Sequence, residues 1–396
     1  MFRNLLYFLS FVCLLYSCDS DESGNPIEQS RQDSTLTKSL QDKRVSVHEP
    51  SDIIKIEDGF LVAGTMIGNG GFVIKYNKDL DEVWYHEFDG AINSIAQDHN
   101  KGVVIAGEKV NNKPWIAKIN SEGNLLWSEI VVTAELQHGG INKVIPLDDG
   151  YVIAGWRNTV DSDIYTEALI LKLNAEGKFD STVTCWNVKI NGSHNLNYDE
   201  VLDIILVEDH DASSGYLVSG TSTQVITGES TWIAKLNDKG EQLFIKDFKN
   251  DQGGCKIKSL LETEDGYIGT GVWGNNYLWL IRIDKNHGEV IFNKKYRSNL
   301  GFIALGTSLA RTQDGGFIVA GYDIGNIPSG WLLRFNNNQM EWFNYLGPVD
   351  KMFAINSIVQ DDDGTYILAG CLFNSARRKE LTVIRTGRDG NYYGEF

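Results

Sequence analysis

Asp314-Gly315-Gly316-Phe317-Ile318-Val319-Ala320-Gly321 is one of four near-copies of a single phrase. The others are Glu57-Asp58-Gly59-Phe60-Leu61-Val62-Ala63-Gly64, Asp148-Asp149-Gly150-Tyr151-Val152-Ile153-Ala154-Gly155 and Asp363-Gly364-Thr365-Tyr366-Ile367-Leu368-Ala369-Gly370. Weaker versions end at Gly107, Gly220 and Gly271. The seven final glycines follow one another at 43, 48, 65, 51, 50 and 49 residues. A period of this size belongs to a propeller or a solenoid.

Around the phrase each repeat reads as four strands. A first strand such as Asn356-Ser357-Ile358-Val359-Gln360 runs into an Asp-Gly turn, which favours a tight hairpin because both residue types tolerate positive φ. The second strand is apolar without alternation, so both of its faces must be covered. A third strand resembles Trp115-Ile116-Ala117-Lys118-Ile119-Asn120 or Trp232-Ile233-Ala234-Lys235-Leu236-Asn237. A fourth carries an aromatic: Trp84, Trp127, Phe244, Phe292, Trp342 or Tyr392. The third repeat departs, with Ser181 where the aromatic belongs and Trp186 further on.

No sustained 3.6-residue period competes with this pattern. A lone four-stranded blade leaves two apolar faces wet, whereas seven in a ring cover one another. The sequence therefore predicts an all-β fold, a seven-bladed β-propeller of four-stranded antiparallel blades over residues 44–396. Asn391–Glu395 is expected to supply the last fourth strand, with Arg44–His48 as the alternative.

Composition agrees with many short strands and tight turns: 396 residues, 42% hydrophobic, 11% aromatic, 40 Gly and 6 Pro. A net charge of −17 repels phosphate backbones and argues against nucleic-acid binding. It suits a soluble exported monomer.

The first residues address the compartment. After Arg3, Leu5 to Leu15 form an apolar run too short to span a membrane and right for a secretory signal. It ends in Leu15-Tyr16-Ser17-Cys18. This resembles the lipobox of bacterial lipoproteins, with Tyr16 larger than usual. The resemblance implies cleavage before Cys18 and its acylation, which would hold the protein to a membrane through lipid. The expected division is a signal peptide at 1–17, a polar flexible tether at 18–43 and the propeller after it. Asp19 to Glu22 resemble surface-export signals in some Gram-negative lipoproteins, and Asp19 resembles a retention signal in others. The cell envelope is expected, at the outer membrane or cell surface, and the choice of membrane stays open.

The repeats themselves resemble those of pyrroloquinoline-quinone-type propellers and their non-enzymatic relatives, among them the outer-membrane assembly lipoprotein propeller. The likeness rests on strand apolars, turn glycines and the late aromatic. It implies a fold and no activity.

Candidate chemistry is thin. No HExxH, GxSxG, P-loop or EF-hand pattern is present, and no matched Glu, Asn and Asp set for a quinone and calcium can be placed. No catalytic residue, metal site or cofactor is assigned. Asp361-Asp362-Asp363-Gly364 coincides with the repeated turn and reads as a solvated turn. Cys185, Cys255 and Cys371 lack metal spacing and read as buried small side chains, and spacing chooses no disulfide among them. His138 and His194 fall in corresponding loops between repeats.

The loops after the repeated glycines vary most, and variable loops on a fixed scaffold are where binding sits. The candidate binding residues there are Trp156, Arg157, Trp273, Tyr277, Tyr322, Phe373 and Arg377. Aromatic rings beside arginines suit a sugar or a protein partner. The expectation is a non-catalytic envelope lipoprotein binding a protein or glycan. The alternatives are a glycoside hydrolase or lyase, for which Asp161, Asp163, Glu167 and Glu108 are the acids to examine, and an outer-membrane assembly factor acting through strand addition.

Overall fold

Each repeated glycine closes a buried strand. Gly59–Met66, Val103–Lys109 and Tyr366–Phe373 are buried along nearly their whole length, as continuous apolarity requires. The computed structural model describes residues 39–41 and 48–392, except 67, 69, 135, 160–161, 182–186, 189–196, 209–213, 225–227, 251–253, 275–276, 298–302, 325–328, 337–338, 347–351 and 374–378. The expected signal peptide, Cys18, Cys185 and His194 lie outside the described residues.

The protein is an all-β propeller of antiparallel sheets. Within each repeat, strands follow one another in sheet order. The first strands are His48–Ile56, Ala91–Gln97, Gly139–Leu147, Asn197–Glu208, Cys255–Thr263, Ile303–Arg311 and Met352–Gln360. Each touches the first strand of the next repeat, and the seventh returns to the first. Seven apolar clusters fill the gaps between consecutive repeats. One joins Phe60, Val62, Phe72 and Ile74 of the first repeat to Ile367, Ala369, Leu381 and Val383 of the last. Each such aliphatic side chain stabilises the ring by roughly 1.5–3 kcal/mol on burial, so no repeat can leave without wetting two clusters.

The seven repeats occupy six hydrogen-bonded sheets. Five have four strands, and one of eight combines the third and fourth repeats. Their junction is a single parallel pair, Thr166 with Tyr198. The third repeat's own fourth place holds only Asn187–Val188, paired with Leu171 and Ile170. That short strand answers the missing aromatic at Ser181.

Ring closure differs from expectation. The fourth place in the last sheet belongs to Ser39–Gln41, antiparallel to Lys379–Thr386 with Leu40 opposite Val383. Asn391 and Tyr392 form no strand, and His48 opens the first strand of the first repeat. The closing strand thus comes from the stretch read as tether. Three residues carry no strand period of their own and gain strand structure from the waiting edge of their partner.

The turns also split into two kinds. In the first, third and fifth repeats the two turn residues are Glu57-Asp58, Asp148-Asp149 and Glu264-Asp265, and the glycine already starts the next strand. In the sixth and seventh the turn is longer. Gly315 and Gly364 sit at φ +86° and +84° and donate to the carbonyls of Thr312 and Asp361. Glycine takes that left-handed backbone at no steric cost.

Every first strand carries a bulge at the same place, for example between Pro50 and Asp52, Ile92 and Ser94, or Val201 and Asp203. A bulge frees backbone groups that must find partners. Side chains supply them from one repeat to the next. Asn93, Asn142 and Thr307 donate to the carbonyls of Ile141, Val201 and Ile355 at 2.9, 2.7 and 2.8 Å. In the fourth repeat the bulge residue, Leu202, cannot donate, and Ser219 reaches Ile257 instead at 3.1 Å. Ser94, Asp203 and Ser259 accept from the backbone amides of Val144, Leu260 and Leu309. Asp52 joins three further repeats: it accepts from Ile95, from Lys143 at 3.0 Å and from Ser357 at 3.3 Å. This polar belt lines the axis of the ring.

Candidate functional site

An antiparallel four-stranded repeat has two rims. The first-to-second and third-to-fourth turns form the hairpin rim. The second-to-third loops and the links between repeats form the loop rim, where the candidate binding residues fall.

The hairpin rim repeats one device. A base on the third strand meets an acid of the turn: Lys75 with Asp58 at 2.7 Å, Lys118 with Asp98 at 2.6 Å, Lys172 with Asp149 at 2.7 Å, Arg282 with Asp265 at 3.6 Å and Arg334 with Asp314. In the last repeat buried Arg385 holds Asp361 at 2.8 Å and Asp363 at 3.4 Å. The calcium-like run Asp361 to Asp363 is therefore a turn occupied by cationic side chains, Asp362 being paired with Lys55. The Lys75 hydrogen bond holds Asp58 below the usual carboxylate range. At Asp314 burial opposes ionisation, but hydrogen bonds from Thr312 and Arg334 outweigh it and the pKa falls.

The loop rim repeats a position but not a chemistry. The residue after each glycine stands opposite one on the first strand: Glu108 opposite Ala91, Trp156 opposite Gly140, Thr221 opposite Glu200, Tyr322 opposite Leu305. Trp156 and Glu108 converge. A Cβ at Gly140 would stand 2.6 Å from Trp156 Nε1 and 2.8 Å from Glu108 Oε2, so the missing side chain makes their recess. Glu108 Oε2 is buried without a hydrogen-bond partner among the described residues. Burial, and then the charge of Glu200, raises the Glu108 pKa. Burial raises that of Glu200 too, although Lys256 and Asn142 oppose it; Asn142 donates to Glu200 at 3.2 Å. Lys256 in turn pairs with Glu229 at 2.8 Å. Lys258 nearby is held below the usual lysine range by burial and by Lys256.

The other candidate residues lie in separate neighbourhoods. Arg157 is buried and held by Glu167, with Nη2 and Nε at 3.0 and 3.2 Å from one carboxylate oxygen. Glu167 is thereby committed to an ion pair. Trp273 is half-buried edge-to-face on Trp279, with Lys295 Nζ 3.8 Å from its ring centroid, and exposed Tyr277 is its partner across the hairpin. Tyr322 is half-buried near Glu49 and Lys379, burial raising its pKa, and Lys379 lies 6.0 Å over Phe373. Arg377 and Asp161 lie outside the described residues, as does the side chain of Asp163. His138 is half-buried, its Nδ1 3.0 Å from the Asn111 carbonyl. Cys255 and Cys371 are free, buried thiols whose pKa values burial pushes up to about 11 and about 12.

Sequence reading singled out Trp156 and Glu108 but not Glu200, Asn142 or Lys256. These stand on first strands, and only the register brings them to the same rim. The belt was readable in principle: Asp52, Ser94, Lys143, Asp203, Ser259, Ser308 and Ser357 are polar at the same place in every repeat.

No family model and no curated protein matches the chain. Among solved structures, a protein of unknown function from Bacteroides caccae is 14% identical, with a TM-score of 0.45 over 73% of this chain and 90% of its own. BBS1N, solved in complex with ARL6DN, is 10% identical, with a TM-score of 0.51 over 89% of this chain and 97% of its own. The second likeness shows the fold, a β-propeller.

Proposed function

We propose that the protein is a lipid-anchored, non-catalytic lipoprotein of the bacterial cell envelope, with a seven-bladed propeller whose loop rim docks a protein partner. One observation carries the docking reading. At a position fixed by the repeat, the hairpin rim pairs its turn acids with bases of the third strands, while the loop rim presents a different residue in nearly every repeat. Half-buried aromatics beside charged groups, as at Trp156 and Trp273, are the anchors protein interfaces favour. BBS1N was itself solved with a protein bound, which accords with this use of the fold. The seven inter-repeat clusters support the blade count. The lipobox-like Leu15 to Cys18 supports the anchor.

The test compares the wild type with a Trp156→Ala, Trp273→Ala double variant in proximity cross-linking on intact cells, with thermal melts as the folding control. The same cross-linked partner should appear with wild type and fall at least about tenfold with a folded double variant, the loss of a hot-spot residue. Undiminished cross-linking would move the docking surface elsewhere. Cys18→Ser should release the protein from the membrane fraction, and its retention there would reject the lipid as sole anchor.

A further inference from the structure

We propose that the cleft between the sixth and seventh repeats, on the hairpin rim, binds a neutral saccharide ring. The cleft has a volume of about 340 Å³, at the lower end of the range for small-ligand sites. Its apolar wall is Trp342, half-buried and set edge-to-face on buried Tyr366 with centroids 6.3 Å apart. The remaining wall is polar and carries planar, multidentate groups, chiefly Gln313, Gln360, Glu341 and Arg388. An aromatic wall facing such groups suits a pyranose, which presents C–H bonds on one side and hydroxyls around its edge.

The polar groups are held in place before any ligand arrives. Gln313 Nε2 donates to the carbonyls of Asp361 and Asp362 at 3.1 and 2.9 Å. Gln360 accepts from the Gln313 amide at 2.9 Å and donates to Gly364 at 3.1 Å. Arg334 is fixed by Tyr366, Asp314 and Glu341. Side chains already ordered lose little entropy on binding. Arg388 has no hydrogen-bond or ion-pair partner among the described residues. Gln313 Oε1 and the second carboxylate oxygen of Glu341 remain open as acceptors.

Charge selects the class. With Lys55 and Arg385 counted beside Arg334 and Arg388, the acids Asp314, Glu341, Asp362 and Asp363 are balanced, so the cleft offers no net charge to draw an ion of either sign. The four acids are each ion-paired within the ring, so no bare carboxylate calls for a cation. A neutral polyol uses the remaining donors and acceptors without a charge penalty. The corresponding cleft between the first and second repeats is an internal control. It shares the plan, with Trp84, Lys75 and Gln97, but measures about 210 Å³ and is walled by Ile56, Leu61 and Val103.

The test titrates the intact protein with methyl glycosides of glucose, galactose, mannose and N-acetylglucosamine, with glucuronate and glucosamine as charged counterparts. Saturation-transfer NMR and tryptophan fluorescence report binding. At least one neutral glycoside should saturate. Arg388→Ala and Trp342→Phe should each weaken it by about tenfold or more, as losing one well-placed contact does. Trp84→Phe should leave it unchanged. Absence of saturation by any neutral glycoside, preference for a charged counterpart, or equal binding by the Arg388→Ala protein would each overturn the proposal. The Trp156→Ala, Trp273→Ala variant should bind sugar normally, so failure here is separable from failure of the loop-rim reading.

Discussion

The two rims treat their carboxylates in opposite ways. On the hairpin rim, Asp58, Asp314 and Asp363 are held below their ordinary pKa, because lysines, arginines and threonine hydroxyls favour the ionised form. On the loop rim, burial raises Glu108 and Glu200, and Glu200 raises Glu108 further. The repeated turn acids are paired, whereas Glu108 and Glu200 stand where burial opposes their charge. Groups kept in an unfavourable state without folding reason are candidates for use, since a partner can relieve them. The contrast also separates what a substitution should damage: stability on one rim, binding on the other.

The largest expected effect is at Arg385. The residue is 7% exposed, and its guanidinium holds Asp361, itself 6% exposed, together with Thr365. Arg385→Met leaves a buried carboxylate with the Asp362 backbone amide at 2.8 Å and Lys55 at 3.8 Å to compensate it. The expected loss is about 3 kcal/mol, the lower part of the range for breaking a buried pair, read from urea unfolding at neutral pH. A loss below about 1 kcal/mol would mean that the repeated ion pairs are ornamental and that the contrast between rims is not one of stability.

A smaller effect separates two glycines. Gly390 sits at φ +74°, and a Cβ there would stand 2.2 Å from the Trp342 ring. Gly177 and Gly288 make the same room for Trp127 and Phe244 of the preceding repeat, and Gly123 makes it for His86 and then Trp84. Gly390→Ala combines a left-handed backbone, about 1–2 kcal/mol, with displacement of an interlocked ring, and about 2 kcal/mol is expected in all. Gly140→Ala has no such backbone cost. Its Cβ would meet Trp156 Nε1 at 2.6 Å and Glu108 Oε2 at 2.8 Å, so both side chains must shift. It should remove about 1 kcal/mol and, by displacing Trp156, lower partner cross-linking. If cross-linking survives Gly140→Ala, the placement of Trp156 against Gly140 is packing and not part of a docking surface.

Much of this was legible in the sequence, for a physical reason. A strand covered on both faces must be apolar throughout, so Phe60 to Ala63 and Ile367 to Ala369 announce themselves. The late aromatics and the turn glycines are two halves of one contact and repeat together. What escaped reading depends on partners distant in the chain. Ser39–Gln41 is a strand only because the last sheet offers an edge. The sharing of one sheet by the third and fourth repeats rests on a single pair across a long insertion. Trp156 was found because the repeat marks its place. Glu200 was not, because it lies on another strand and reaches the rim only through the register that sets it opposite Thr221.

The smallest effect is the most specific, because it is a difference in sign. Asp314, with its pKa depressed by folding, stabilises the protein above its unfolded value near 3.9, and that contribution disappears as pH falls through the folded pKa. Glu108, with its pKa raised, behaves the other way. Its ionisation weakens the fold above the folded pKa, and the penalty is absent below the unfolded value near 4.3. Asp314→Asn should therefore be less stable than wild type at pH 7, with a deficit that closes on acidification. Glu108→Gln should be more stable at pH 7, with a gain that closes on acidification. The Asp314 side chain is 58% exposed and Glu108 is half-buried, so solvent screening limits each difference to about 0.5–1 kcal/mol. Urea midpoints at a series of pH values from 3 to 7 resolve the two slopes. Parallel slopes would mean that Glu108 finds a compensating partner in solution, and the case for the loop rim as the docking one would then rest on Trp156 and Trp273 alone.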